Sequence, residues 1–236
     1  GHAQKSTIEK YFDINVELDN QLRAKGKDAL ADSLNWLPEH VTVSMIRQGK
    51  ALGLGHAVLA ARPIIGEHDF AVLLPDVLVK DHEAMNDLSL MIQRFDVSKA
   101  AQIMVEAVPD HLVDQYGIVD VEHSPNEGES IVMQGIVEKP ALGTAPSNLS
   151  VVGRYILPAK IMQLLETTPK GAGGEIQLTD AIAMLQATDS VEAYRMKGQI
   201  FDCGNKLGYL KAVLHYGVDH PKLGEAFKDL IKELEL

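Results

Sequence analysis

A chain of 236 residues suits one large α/β domain or two small ones, and it is long enough to bury a substantial core. Its 22 Lys and Arg oppose 33 Asp and Glu, a formal charge of −11, which argues against a general nucleic-acid binder because such a protein needs a basic face. The single Cys203 excludes a disulfide scaffold, and no apolar run reaches the roughly 18–20 residues of a membrane span. The reading is of a cytoplasmic protein in which local cations or a metal must hold any polyanionic ligand.

The first element predicted is a helix over residues 17–37, where Leu18, Leu22, Leu30, Leu34 and Leu37 fall at mostly helical spacing and Pro38 closes the run. Residues 41–46 predict a strand, 55–62 a helix, 70–74 a buried strand, 88–95 a helix and 101–107 a further strand. That rhythm predicts parallel strands joined by right-handed crossovers. Residues 116–121 and 130–138 read as strands joined by the turn-rich Ser-Pro-Asn-Glu-Gly, a hairpin inserted in the main sheet or attached to it. Residues 149–157 predict another strand, and Pro158 suits the first turn of a helix. Two helices close the chain, within residues 205–236 for the most part. In the last of them Leu223, Phe227, Leu230, Ile231 and Leu234 line one face, which either docks on the chain's own core or meets another subunit. The fold class expected is α/β, a Rossmann-like mixed and mostly parallel sheet flanked by helices, in one domain over residues 1–236.

In such sheets ligands bind beyond the carboxyl ends of the strands, so the residues after each strand are the candidates. After 41–46 come Gln48, whose amide suits a base edge, and the glycines of Gly53-Leu-Gly55 before a helix. Val58 stands where the third glycine of the dinucleotide fingerprint belongs, so a plain glycine-rich turn competes with a ligand loop. Asp76 after the strand 70–74 and Asp202 after another apolar stretch are candidate ligands for a hard cation, against the commoner reading of turn or cap residues. Glu138 and Lys139 end a strand before Pro140, one suited to sugar hydroxyls and the other to phosphate, or simply an exposed strand end. Residues 171–182 form a glycine-rich loop leading into a helix. There is no His-Glu-x-x-His, no Cys/His cluster and no Gly-x-Ser-x-Gly elbow.

Taken in order, Arg47-Gln-Gly, Gly53-Leu-Gly-His-Ala, Leu74-Pro-Asp, Tyr116-Gly-Ile-Val-Asp, Val137-Glu-Lys-Pro, Ser147-Asn-Leu, Val152-Gly-Arg-Tyr, Gly171-Ala-Gly-Gly-Glu-Ile-Gln-Leu-Thr-Asp-Ala-Ile and Asp202-Cys-Gly-Asn-Lys carry a resemblance. The chain resembles the bacterial UTP–glucose-1-phosphate uridylyltransferases (UDP-glucose pyrophosphorylases) from about His2 to its last residue. The resemblance implies the nucleotidyltransferase fold and the reaction of UTP with glucose 1-phosphate to give UDP-glucose and pyrophosphate. It implies that Gln48 pairs with uracil, that Gly53 lies close to the nucleoside, and that Asp76 and Asp202 hold Mg²⁺. It further implies that Gly117 offers backbone contact to the sugar, Glu138 binds glucose hydroxyls and Lys139 binds the sugar phosphate, with Lys139 and Asp76 as the catalytic pair. A homodimer or homotetramer is expected, with residues 205–236 as a possible subunit contact, and neither nucleic acid nor membrane as partner. Family members begin with a strand and a Gly-x-Gly-Thr-Arg loop for the triphosphate, which residues 1–236 do not contain. A sister thymidylyltransferase, a non-catalytic regulatory relative and an NAD-dependent dehydrogenase are the alternatives.

Overall fold

The computed structural model describes residues 12, 15–34, 37–38, 40–81 and 86–234. The chain forms two compact units, residues 1–52 and residues 53–236.

The first unit holds α1 (Val16–Ala24) and α2 (Asp28–Leu34). Asn15 caps α1 by accepting the Leu18 N–H at 3.0 Å. The single helix expected over 17–37 is therefore broken. Gly26 sits at φ 65°, where other residues are strained, and the chain turns there. Arg23 then ties the two helices, bonding Asp19 at 3.0 Å and Asp32 at 2.9 Å. The strand expected over 41–46 does not form either. A β-branched segment becomes a strand only by pairing, and no described strand pairs with it. Its Val41 and Met45 stay 41% and 47% exposed.

The second unit opens with α3 (Leu54–Ala60) and α4 (Arg62–Ile65), followed by β1 (Phe70–Leu73) and β2 (Val77–Lys80). Then come α5 (Asp87–Ser98), β3 (Ala101–Ala107), β4 (Gly117–Val121), β5 (Ser130–Glu138) and β6 (Leu149–Leu157). The remaining elements are α6 (Ile161–Thr167), α7 (Leu178–Gln186), β7 (Val191–Arg195), β8 (Gln199–Asp202), α8 (Lys206–Val218) and α9 (Gly224–Glu233). The main sheet has the order β1-β6-β3-β7-β5-β4, with β4 also touching β6 at Ile118 and Ser150. β2 and β8 form a separate two-stranded ladder.

The mixed α/β sheet with flanking helices is as expected, but neighbouring strands in it are mostly antiparallel. Among the described residues only β3 and β7 pair in parallel. The strand–helix–strand rhythm did give the right directions, because β1 and β3 both run antiparallel to β6 and hence parallel to each other. What the rhythm could not show is that β6, far along the chain, slots between them. The β4–β5 pair is antiparallel and joins the main sheet through β7, as the hairpin reading anticipated.

Both faces of the sheet are covered, so its central strands β3, β6 and β7 are buried along most of their length. Ile103, Val105, Tyr155 and Ala193 face Val58 of α3, Ile161 and Leu165 of α6, and Ile182 and Leu185 of α7. Met104, Ile156 and Tyr194 point the other way, to Met91 and Phe95 of α5. Asp87 at the start of α5 accepts the Tyr194 hydroxyl at 2.8 Å and the N–H groups of Lys197 and Gly198 at 3.0 and 2.9 Å. That fixes the turn feeding β8. In α9, Phe227 packs where a Cβ on Gly217 would lie 2.6 Å from its ring. Leu223, Leu230 and Leu234 remain 51–60% exposed, so this stripe is not docked on the core formed by the described residues. No described helix is long and apolar enough to cross a membrane.

Candidate active site

The two candidate carboxylates meet, though not as the ends of two strands in one sheet. Asp76 lies in the turn that carries the chain from β1, in the main sheet, to β2, in the small ladder. Asp202 ends β8, opposite Val77. The antiparallel register does the rest, with the Cys203 N–H donating to the Asp76 carbonyl at 2.7 Å. A Cβ placed on Gly204 would lie 2.9 Å from Asp202 Oδ1 and 3.7 Å from Asp76 Oδ2, so one small space borders both carboxylates. Asp202 also serves its own turn, accepting the Gly204 N–H at 2.9 Å and the Asn205 amide at 3.1 Å. Asn205, not Asp202, caps α8.

Both carboxylates line a cavity of about 360 Å³ that also takes in Glu106, Tyr116, Gly117, Glu138, Tyr155, Glu175 and Thr179. Gly117 and Glu138 face each other across the β4–β5 ladder. The Thr179 hydroxyl, brought in at the start of α7, donates to Glu138 Oε2 at 3.1 Å. A Cβ on Gly117 would sit 3.2 Å from that oxygen and 3.3 Å from Thr179 Cγ2. The glycine therefore leaves its backbone open to the cavity. Lys139 is exposed, with its backbone at φ 45° and its N–H donating to the Tyr116 carbonyl at 3.0 Å. Its side chain is not among the described residues lining the cavity.

The glycines of residues 53–55 have a packing explanation. Gly53, at φ 97°, would place a Cβ 2.7 Å from the Ile176 carbonyl oxygen, and a Cβ on Gly55 would lie 2.8 Å from it. The Gly55 N–H donates to that same oxygen at 2.9 Å. The close approach is to the loop before α7, whose Glu175 and Gln177 line the cavity together with Thr179 of α7 itself. Gln48 lies in the first unit, in a segment without helix or strand.

Two groups escaped the sequence reading. Glu106 is the last residue but one of the buried strand β3, a carboxylate near a strand end as Asp76 is after β1, a signal that was available. Burial raises its carboxyl pKa above the ordinary glutamate value. Arg154, in mid-strand, carried no such signal and reaches the Asp76 turn only in three dimensions. Burial lowers its guanidinium pKa, and the Asp76 charge opposes that shift. The Tyr116 phenol is raised by burial and then by Asp202, whose Oδ2 lies 3.5 Å away.

Glu106 gives a stability prediction. A carboxyl with a raised folded-state pKa favours folding below its unfolded pKa, and that contribution is lost as pH rises through the folded value. Glu106→Gln should therefore raise the melting temperature at neutral pH, with the gain shrinking as the pH falls through the raised folded-state value and gone below about pH 4, the ordinary glutamate range. Thermal scans from about pH 3.5 to about pH 8, starting below the ordinary glutamate value, check this; an equal gain at every pH would contradict it.

The described cavity lining holds five carboxylates, Asp76, Glu106, Glu138, Glu175 and Asp202, and no Lys, Arg or His. A phosphate can enter such a cavity only with countercharge from outside it. The chain matches the nucleotidyl transferase family over residues 6–217. It is 70% identical to the UTP-bound UGPase of Acinetobacter baumannii, superposing with a TM-score of 0.92 over 99% of this chain and 80% of that one. It is 49% identical to the UTP–glucose-1-phosphate uridylyltransferase of Haemophilus influenzae over 99% of this chain and 81% of the relative. With that of Escherichia coli K12 the figures are 50%, 98% and 78%. The order of motifs, the mixed sheet and these relatives agree: the chain belongs to the nucleotidyl transferase family, in its UTP–glucose-1-phosphate uridylyltransferase group.

Proposed function

We propose that this protein is a uridylyltransferase that joins UTP and glucose 1-phosphate into UDP-glucose and releases pyrophosphate. The observation that carries the reading is the cavity in which Asp76, Asp202, Gly117 and Glu138 converge, in a chain half identical to enzymes of that name. A phosphate oxygen of glucose 1-phosphate attacks the α-phosphorus of UTP. The bond from that phosphorus to the bridging oxygen breaks, and the electron pair leaves with pyrophosphate. The protein need supply no nucleophile, so its work is positioning and charge compensation.

Charge is the obstacle. Two like unit charges 4 Å apart repel by roughly 4 kcal/mol at an effective dielectric of 20, before the cavity's own carboxylates are counted. Asp76 and Asp202 offer two hard oxygen donors side by side, which fits Mg²⁺, an ion that takes one or two carboxylates and completes its shell with water and phosphate. Bound there, Mg²⁺ supplies positive charge against the phosphates. Lys139, next in the chain to the cavity-lining Glu138, adds a cation for the sugar phosphate. Glu138, held by Thr179, accepts glucose hydroxyls while the Gly117 backbone meets the sugar. Gln48 reads the uracil edge, and Gly53 lies near the nucleoside.

The protein works in the cytoplasm as a homodimer or homotetramer. The exposed Leu223, Leu230 and Leu234 of its C-terminal helices support a subunit contact there. The test is pyrophosphate release from UTP and glucose 1-phosphate with Mg²⁺, repeated with dTTP. Turnover with UTP at least tenfold above dTTP is expected, about the discrimination one well-placed contact gives. A preference for dTTP would make it a thymidylyltransferase, and UTP binding without turnover a regulatory relative.

A further inference from the structure

Arg154 has no part in the chemistry above. It stands in β6 opposite Leu73, and its side chain leaves the ladder for the turn between β1 and β2. One terminal nitrogen donates to the carbonyls of Leu74 at 2.9 Å and Gly153 at 3.1 Å, and the other to the Val77 carbonyl at 2.6 Å. Leu74 and Val77 flank Pro75 and Asp76. A planar guanidinium that grips both sides of a turn sets its position, because the fork cannot pivot as an ammonium does.

Two further contacts act on the same four residues. The Leu74 N–H donates to the Gly153 carbonyl at 3.0 Å, and the Asp76 carbonyl accepts from Cys203 at 2.7 Å. Gly153, at φ 74°, would place a Cβ 2.9 Å from Leu74 Cδ1, so the strand carrying Arg154 is shaped to let Leu74 approach. Arg154 thus braces, from the main sheet, the one segment whose placement decides where Asp76 stands relative to Asp202.

We infer that Arg154 is a positioning residue that holds the Asp76 carboxylate in register with Asp202 and so sets the affinity of that pair for a divalent cation. The inference rests on reading Asp76 and Asp202 as the cation-holding pair. Positioning and simple charge predict opposite signs. Removing a cation beside Asp76 would tighten metal binding if only through-space charge mattered. It weakens metal binding if the brace matters.

The experiment is a titration with Mn²⁺ alone, followed by electron paramagnetic resonance, on the wild type, Arg154→Lys, Arg154→Met, Gly153→Ala and Asp76→Asn. Arg154→Lys keeps the charge and loses the fork. Its Mn²⁺ affinity should fall about tenfold, the usual scale for groups that orient a metal ligand. Arg154→Met and Gly153→Ala should shift affinity in the same direction. In turnover, Arg154→Lys should need more metal for half-maximal rate and recover most of kcat at saturating metal. Unchanged or tighter Mn²⁺ binding in a folded Arg154→Lys or Arg154→Met overturns the inference, as does a lower melting temperature with unchanged metal affinity. Asp76→Asn separates the two layers. If it binds Mn²⁺ like the wild type, the metal reading is what fails, and the inference falls with it.

Discussion

Asp76→Asn and Asp202→Asn are each expected to lower turnover by roughly 10²-fold or more, the scale of losing a main electrostatic stabiliser. The two carboxylates border one small space, and the described cavity lining offers no Lys, Arg or His in their place. Folding should survive. Asn at position 202 still presents an Oδ1 to the Gly204 N–H, which the aspartate now holds at 2.9 Å. What it loses is charge and the acceptor that serves the Asn205 amide and the Tyr116 hydroxyl, about 1 kcal/mol per neutral bond. Steady-state kinetics over a range of Mg²⁺, with circular dichroism as the folding control, decide the matter. Near-wild-type rates in both variants at ordinary Mg²⁺ would remove these residues from the site.

Glu138 and Lys139 should divide in their kinetics. Lys139→Ala is expected to cut kcat about 10²-fold, because its charge opposes repulsion that grows as the anions meet. Its backbone N–H bond to Tyr116 persists in the alanine variant, so the strand end should hold. Glu138→Gln keeps one carbonyl oxygen for the Thr179 hydroxyl but loses the charged acceptor. Its main effect should be a KM for glucose 1-phosphate raised about tenfold or more, the worth of a hydrogen bond to a charged group. KM for UTP should change little. A Glu138→Gln variant that loses UTP affinity instead, or a Lys139→Ala variant with normal kcat, would reverse these roles.

The boundaries of several elements were legible from local chemistry. Residues 101–107 and 149–157 form strands with the bounds their sequence predicts, because β-branched and apolar residues dominate each between turn signals. Asp76, Glu138 and Asp202 were legible as charged residues following apolar strands, and the order of motifs pointed to the family. The strand that residues 41–46 predict does not form, because strand formation depends on a partner and no residue inside the segment reports one. The helix over 17–37 failed on Gly26, whose turn outweighed a leucine spacing that continues on both sides of it.

The sequence by itself determined which residues carry charge at the ends of apolar runs, since that is local covalent order. Only the tertiary structure decided their company. That Asp76 and Asp202 border one space follows from the β2–β8 register, that Glu138 is held by Thr179 follows from where α7 begins, and that Arg154 grips the Asp76 turn follows from β6 lying beside β1. Each contact joins residues 41 to 126 positions apart in the chain. Pairing over such distances is set by the packing of the whole sheet, which local patterns do not encode.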